Sequence, residues 1–283
     1  MEIERVGVAG FGLMGGGIAQ VCAVHGYNVT VLDVDDERVS QGHRTIRGRL
    51  ERDVSRGRMT ADTCERAISR IEGTTRYEDL AACDLVIEAA VEDLSAKRAV
   101  FKLLGEATKP EAILASNTSS LPLSDLAAAS GRPGKVIGLH FFNPPYALRL
   151  VEVVIPESTN QETVGSAMVF CDSLDRVTVR VKDTPGFIVN RLLVPFIFDA
   201  IHLVESGTAS AQDVDQACRI GLNHAMGPLA TADLIGLDTL LYISESMFEE
   251  YGEPRFKAPT SLRRMVALGH LGRKTGKGFF TYE

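Results

Sequence analysis

The chain has 283 residues, of which 45% are hydrophobic and 24% are charged, as in an ordinary soluble globular protein. This length predicts one large domain or two of ordinary size, with a core that needs no covalent cross-links. The net charge of −7 argues against a nucleic acid or an anionic membrane as the partner of the whole surface, because both attract clustered cations.

The five cysteines are scattered and contain no C-x-x-C pair, which predicts free thiols in a reducing compartment, with neither a disulfide framework nor a metal site. No segment approaches the roughly 18 consecutive apolar residues of a transmembrane helix. Residues 1–5 are mostly charged and run straight into an apolar segment, so no signal peptide is expected. We therefore expect a cytoplasmic protein with no membrane contact.

Residues 3 to about 180 alternate short β-branched runs with helical segments, which predicts a mostly parallel sheet covered by helices on both faces. The predicted strands are 3–9, 28–34, 85–90, 112–116, 135–142, 152–155 and 176–181. The polar segment at about 35–70 is too long for one crossover helix and predicts a projecting helical hairpin. Its turn is expected near Gly57, with Thr60 as the N-cap of the second helix.

Beyond Asp183 the pattern changes. Residues 187–268 have helical periodicity with breaks at glycines, which predicts about five helices. Pro185-Gly186 is a natural domain junction. The predicted fold class is α/β, a Rossmann-type doubly wound sheet with a helical hairpin insertion in residues 1–184, followed by an all-α domain in residues 185–283.

A glycine-rich segment, Gly10-Phe11-Gly12-Leu13-Met14-Gly15, fits the pattern G-x-G-x-x-G. The pattern alone is a weak signal in a chain with 26 glycines, but here it follows a predicted strand and opens a predicted helix. Gly10 permits a tight turn, Gly12 lets a pyrophosphate approach the backbone, and Gly15 permits close packing of helix on strand. The helix N-terminus adds unpaired N–H groups and a partial positive charge, so the segment predicts dinucleotide binding.

The next predicted strand leads to Asp33, 18 residues beyond Gly15. Its carboxylate can accept hydrogen bonds from the adenine ribose and would repel a 2′-phosphate, which favours NAD over NADP. Arg38 follows closely and leaves NADP as the weaker alternative. A glycine-rich turn that binds nothing is the other interpretation.

The strongest candidates for a catalytic pair are two polar residues in later apolar strands, His140 and Glu152. Removal of hydride from a carbinol carbon requires a base for the hydroxyl proton, and histidine titrates in the right range. A carboxylate on the other ring nitrogen would fix the tautomer and stabilise the imidazolium. Ser119 and Asn190 could hold the substrate oxygen. A histidine satisfied inside the core is an equally good interpretation on spacing alone.

Ordered motifs along almost the whole chain resemble the L-3-hydroxyacyl-CoA dehydrogenase family, and within it the single-function bacterial 3-hydroxybutyryl-CoA dehydrogenases. They include Ser116-Asn117-Thr118-Ser119-Ser120, His140-Phe141-Phe142-Asn143-Pro144-Pro145, Asp183-Thr184-Pro185-Gly186-Phe187 and Gly276-Lys277-Gly278-Phe279-Phe280. The resemblance implies NAD-dependent, reversible oxidation of a short-chain L-3-hydroxyacyl-CoA to the 3-oxoacyl-CoA. It also implies that the helical domain binds substrate and pairs with its twin in a homodimer.

By the same resemblance, His140 is the general base, Glu152 orients it, and Ser119 and Asn190 hold the substrate oxygen. The implied cofactor-binding positions are Gly10, Gly12, Leu13, Met14, Gly15, Asp33, Glu92, Lys97, Asn117, Asn143 and Lys277. For Glu92 and Lys97 the alternative is an exposed charged surface, and for Lys277 a solvated tail.

The predicted hairpin is where this family binds the coenzyme A nucleotide, and here it carries six arginines between residues 44 and 58. Cations suit the CoA phosphates, and Arg52 and then Arg56 are the first choices. The alternative is a solvated helix face on which Glu51 and Asp53 neutralise the arginines.

Two further functions compete with the leading one. A relative without CoA could oxidise a free hydroxy acid or sugar acid, although the arginine-rich hairpin would then have no use. A non-catalytic, crystallin-like relative would not need an intact catalytic set, whereas this chain retains Ser119, His140, Glu152 and Asn190. The acyl chain length, the physiological direction and the strictness for NAD do not follow from the sequence.

Overall fold

The structure is a computed structural model that describes residues 2–282. The chain divides into two compact units, an N-terminal and a C-terminal one, with the boundary between Thr184 and Pro185. Each unit has its own hydrophobic core.

The N-terminal unit is built on one sheet of eight strands with the order β3-β2-β1-β4-β5-β6-β7-β8. The strands are β1 Arg5–Ala9, β2 Asn28–Leu32, β3 Ile71–Thr74, β4 Leu85–Glu88, β5 Ile113–Ser116, β6 Val136–Phe141, β7 Leu150–Ile155 and β8 Val177–Lys182. All neighbouring pairs are parallel except β6 and β7, which are antiparallel. The central strands β4, β5 and β6 are buried along their whole length, which explains their almost uninterrupted apolar sequences.

Six α-helices accompany this sheet: α1 Leu13–Val24, α2 Asp36–Ser55, α3 Ala61–Ser69, α4 Leu94–Ala107, α5 Leu123–Ala129 and α6 Gln161–Ser173. Helices α2 and α3 pack on each other and form a hairpin between β2 and β3. Asp35 caps α2 by accepting a hydrogen bond from the N–H of Arg38, and Thr60 caps α3 in the same way. Gly57, at φ +68°, makes the turn between them.

The C-terminal unit is helical, with α7 Val189–Glu205, α8 Ala211–Gly221, α9 Pro228–Ile235, α10 Leu237–Tyr251 and α11 Thr260–Ala267. Its core is formed mainly by α7, α9 and α10. The buried carboxylate of Asp233 on α9 holds the end of the chain, since it accepts hydrogen bonds from the N–H groups of Phe279 and Phe280 and from the hydroxyl of Tyr282.

The predicted fold class is confirmed: a mostly parallel Rossmann-type sheet with a helical hairpin precedes a helical unit. Strand β3 was not predicted, because Ile71-Glu72-Gly73-Thr74 is short and mostly exposed at the sheet edge. The antiparallel direction of β7 relative to β6 was not predicted either, and it places His140 directly opposite Glu152.

Candidate active site

The glycine-rich segment forms the turn between β1 and the N-terminus of α1, beside the point where the strand order reverses between β1 and β4. Gly10 has φ +110°, a conformation that favours glycine. A Cβ on Gly15 would lie 1.8 Å from the carbonyl oxygen of Gly10, whereas a Cβ on Gly12 would meet no atom within 4 Å. The turn therefore packs tightly on its inner side and leaves open space at Gly12.

The N-terminus of α1 has Gly12 as its N-cap, and no side chain within residues 2–282 caps it. Leu13, in its first turn, is 57% exposed, while Met14 packs against the core. Uncapped N–H groups beside open space form a cradle that fits a pyrophosphate. The residues present therefore fit the dinucleotide that the sequence predicted.

Asp33 lies directly after β2 and faces the same turn. One carboxylate oxygen accepts a hydrogen bond from the N–H of Phe11 at 2.7 Å, and the other accepts one from the N–H of Val34, also at 2.7 Å. The side chain is half-buried, so both oxygens keep acceptor capacity towards the ribose side of the turn. Asp33 thus also fixes the glycine-rich segment itself, a role that the sequence did not reveal.

His140 and Glu152 face each other across the antiparallel pair β6 and β7. Nδ1 of His140 lies 2.7 Å from Oε2 of Glu152, and the Glu152 side chain is completely buried. A carboxylate can only accept, so Nδ1 carries the proton and Nε2 is the basic nitrogen of the neutral ring. The ring also packs against Phe142, with centroids 4.5 Å apart. This arrangement can accept a proton at Nε2 and stabilise the imidazolium that results.

Two residues of the segment after β5, Asn117 and Ser119, are held by hydrogen bonds. The side-chain oxygen of Asn117 accepts a hydrogen bond from the N–H of Phe141 at 2.9 Å and so ties the end of β5 to the residue after His140. Ser119 is half-buried, and its N–H donates to Glu92 at 3.0 Å. Asn117 therefore has a structural contact in addition to its expected place at the cofactor.

Lys97 is not an exposed surface residue, since only 1% of its side chain is accessible. Its ammonium group lies 2.5 Å from Glu88 and 3.2 Å from Glu92. Ser116 donates to the other oxygen of Glu88 at 2.6 Å. The side chain of Tyr77 is close enough that burial and the Glu88 charge raise the pKa of its hydroxyl. Glu88 was missed as a site residue, although a carboxylate ending the apolar run Leu85-Val86-Ile87 was the available signal.

The remaining predicted positions lie in loops or in the other unit. Asn143 is exposed and precedes Pro144 through a cis peptide bond. Asn190 is half-buried in the first turn of α7, and Lys277 is exposed in the tail. Asn190 and Lys277 belong to the C-terminal unit, and their roles stay predictions.

Some of the hairpin arginines are neutralised by carboxylates and others are not. Glu51 pairs with Arg47 and Asp53 with Arg58, so neither carboxylate serves the two arginines that the sequence singled out. Those two, Arg52 in the last turn of α2 and Arg56 directly after it, are exposed and make no ion pair within residues 2–282. Arg49, on the same face of α2, stacks over Tyr146 at 5.3 Å from the ring centre. The hairpin thus carries two exposed cations that no carboxylate neutralises within residues 2–282.

Comparison with known proteins agrees with this geometry. Residues 5–184 match the family profile described as 3-hydroxyacyl-CoA dehydrogenase, NAD binding domain. Residues 186–282 match that described as 3-hydroxyacyl-CoA dehydrogenase, C-terminal domain. The chain belongs to the 3-hydroxyacyl-CoA dehydrogenase family.

Relatives within this family match over their full length. The 3-hydroxybutyryl-CoA dehydrogenase of Mycobacterium tuberculosis H37Rv is 46% identical over 282 residues, which cover 99% of each chain. The crystal structure of M. tuberculosis FadB2 superposes with a TM-score of 0.99 at 46% identity and covers both chains completely. The (S)-3-hydroxybutyryl-CoA dehydrogenase PaaH1 of Ralstonia eutropha gives a TM-score of 0.96 at 40% identity, also over both complete chains. The predicted family and its NAD-binding domain are confirmed.

Within residues 2–282, no group of three or more His, Cys, Asp or Glu side chains could hold a metal ion. Within the same range, no helix is both long and apolar enough to cross a membrane.

Proposed function

We propose that the protein catalyses the reversible, NAD-dependent oxidation of a short-chain L-3-hydroxyacyl-CoA, such as L-3-hydroxybutyryl-CoA, to the 3-oxoacyl-CoA. The observation that carries this proposal is the buried 2.7 Å contact between Nδ1 of His140 and Oε2 of Glu152. It is supported by full-length relatives named 3-hydroxybutyryl-CoA dehydrogenase at 41–46% identity.

NAD, when bound, supplies the hydride acceptor, and the protein supplies the proton chemistry. In the oxidation direction, Nε2 of His140 takes the proton of the 3-hydroxyl group while the C3 hydrogen leaves as hydride. Glu152 stabilises the imidazolium that forms and holds the ring in position. Ser119 donates a hydrogen bond to the C3 oxygen as it becomes a carbonyl. The family resemblance assigns the same role to Asn190. In reduction each step is reversed, so His140 returns the proton.

NAD is held, in this proposal, by the residues at the carboxyl edge of the sheet. Gly10, Gly12 and Gly15, with the first turn of α1, bind the pyrophosphate, and Asp33 binds the adenine ribose. The other cofactor contacts expected within the N-terminal unit come from Leu13, Met14, Glu92, Asn117 and Asn143, and the family resemblance adds Lys277. Lys97 acts differently: with its ammonium group buried between Glu88 and Glu92, it serves by holding Glu92.

The CoA moiety is bound by the hairpin, at the C-terminal end of α2. Arg52 and Arg56 carry charges that no carboxylate neutralises within residues 2–282, which suits the CoA phosphates. This feature distinguishes the proposal from a dehydrogenase of free hydroxy acids.

The direct test follows NADH consumption with acetoacetyl-CoA, and with acetoacetate as the matched substrate without CoA. We expect turnover of the thioester and none of the free acid above background. His140→Ala should lower kcat by about 10²–10⁴-fold, the usual contribution of a general base. Full turnover in this variant would overturn the assignment of His140.

The CoA site is tested by Arg52→Gln and Arg56→Gln, with Arg66→Gln on α3, already paired with Asp62, as the control. The first two should raise KM for acetoacetyl-CoA and leave KM for NADH unchanged. Equal effects in all three variants would contradict a specific site. Replacing NADH by NADPH in the same assay tests the preference that Asp33 implies.

We also propose a cytoplasmic homodimer formed through the C-terminal unit. Large apolar side chains are exposed on this unit, among them Leu192 at 66%, Ile220 at 75% and Leu268 at 70%. The five free cysteines suit a reducing compartment. Analytical ultracentrifugation of the full chain should give twice the chain mass, and a monomer at micromolar concentration would contradict the dimer.

A further inference from the structure

A buried ionic cluster lies at the carboxyl ends of β4 and β5. It consists of Glu88, Lys97 and Ser116, whose side chains are at most 1% exposed. Both oxygens of Glu88 are occupied. One accepts from Lys97 at 2.5 Å and from the N–H of Ala90 at 2.7 Å, and the other accepts from Ser116 at 2.6 Å. A buried carboxylate is costly unless paired in this way, so the cluster is tightly specified.

Two routes lead from Glu88 to the segment that carries Ser119. Along the first, Lys97 holds Glu92, and Glu92 accepts hydrogen bonds from the Thr118 hydroxyl and from the N–H of Ser119. Along the second, the Ser116 hydroxyl that donates to Glu88 also accepts from the N–H of Thr118 at 3.2 Å. Both routes end within one residue of Ser119.

The middle of this segment is also held through the Thr118 side chain, which is buried. Its hydroxyl oxygen accepts a hydrogen bond from the N–H of Leu121 at 3.0 Å. Because the same hydroxyl donates to Glu92, the backbone at Leu121 is linked to Glu92 through Thr118. The position of Ser119 therefore depends on a chain of charges and hydrogen bonds that begins at Glu88, and not on the loop sequence alone.

From these contacts we infer that Glu88 is a positioning residue for the reaction: through Lys97 and Ser116 it fixes the turn at residues 117–121 so that the Ser119 hydroxyl meets the substrate oxygen. This inference rests on the proposed function, because it uses Ser119 as the substrate-binding group. Glu88 acts through other residues and is not assigned a contact with substrate. Small displacements of such a group are known to cost large factors in rate.

The test is a double-mutant cycle between Glu88→Gln and Ser119→Ala, with kcat for acetoacetyl-CoA reduction as the readout. If Glu88 acts through Ser119, Glu88→Gln lowers kcat by about tenfold alone, but by less than about twofold when Ser119 is already alanine. If the two losses multiply in full, Glu88 does not act through Ser119 and the inference is wrong.

A control carboxylate lies at the other end of β4. Asp84, immediately before β4, pairs with Lys109 and accepts from the N–H groups of Glu4 and Arg5, at the opposite edge of the sheet. Asp84→Asn removes the charge of a comparable carboxylate–lysine pair. It should lower the melting temperature without lowering kcat. A loss of kcat as large as that of Glu88→Gln would mean that any damage to the sheet suffices, which overturns the inference.

Amide hydrogen exchange supplies a readout that needs no activity. Glu88→Gln should speed exchange of the Ser119 amide, which donates to Glu92, and Asp84→Asn should not. If wild-type protein turns over no acyl-CoA, the proposed function fails while this readout still tests the cluster. If Glu88→Gln does not fold, Ser116→Ala replaces it in the cycle. We then expect Ser116→Ala to lower kcat by about threefold in the wild type and not to lower it further in Ser119→Ala. Unchanged exchange and unchanged kcat in the folded variant would refute the inference.

Discussion

Replacing Glu152 by glutamine tests the mechanism at the atom pair on which it depends. The substitution keeps the shape of a completely buried side chain and removes its charge. In the wild type, Oε2 accepts from Nδ1 of His140 at 2.7 Å, a short hydrogen bond that gains strength when the ring becomes an imidazolium. A hydrogen bond to a charged group contributes about 1.5–3 kcal/mol, which corresponds to about 10- to 150-fold in rate.

We therefore expect Glu152→Gln to lower kcat by about a hundredfold, and by more if the amide nitrogen turns towards Nδ1 and imposes the wrong tautomer. KM for acetoacetyl-CoA should change little, since the carboxylate acts on the base and not on the substrate. Steady-state kinetics measure both constants, and thermal unfolding in parallel separates chemistry from folding. In a His140→Ala background the same substitution should have almost no further effect. A kcat that stays within about threefold of wild type, or a full additional loss without His140, would refute the orienting role.

Three further predictions concern the cradle, the sheet edge and the tail. Gly12→Ala should leave the melting temperature nearly unchanged, yet it should weaken NADH binding in a fluorescence titration, because its Cβ enters open space that the pyrophosphate needs. Gly15→Ala should lower the melting temperature and weaken NADH binding, since its Cβ meets backbone at 1.8 Å. Burial pushes the pKa of Asp84 upward, but hydrogen bonds from Lys109 and two backbone N–H groups outweigh it and hold this pKa below its usual 3.8. Asp84 therefore stabilises the fold above that value, and the stability gap between wild type and Asp84→Asn, measured by urea unfolding, should close as pH falls through the folded pKa; a gap that stays constant in acid would contradict this. Asp233→Asn leaves an amide facing three donors of the tail, so proteolysis near the chain end should accelerate, and an unchanged cleavage rate would argue that the tail is held elsewhere.

The parts of the fold that local chemistry controls were predictable from the sequence. The hairpin was located by its polarity, and its turn at Gly57 and cap at Thr60 follow from the backbone needs of those positions. The glycine-rich turn was recognisable because each glycine has its own steric reason. Strand β3 was not, because four residues at an exposed edge carry too little periodicity.

The candidate site was predictable only in part. His140 and Glu152 could be paired as chemical types, but their contact depends on β7 running antiparallel to β6, which places residues 12 positions apart directly opposite each other. Lys97 was open to interpretation as an exposed charge, since nothing in its neighbours along the chain shows that it is buried. Glu88 was overlooked because its partners lie 9 and 28 residues away.

By itself, the sequence determined most of the elements, the order of the motifs and the chemical types that a hydride-transfer site requires, because caps, turns and amphipathic periods are local properties of the chain. The tertiary structure decided which of those side chains form hydrogen bonds or ion pairs with one another and with the backbone. Those pairings depend on strand direction and burial, and both are settled only when distant segments pack together.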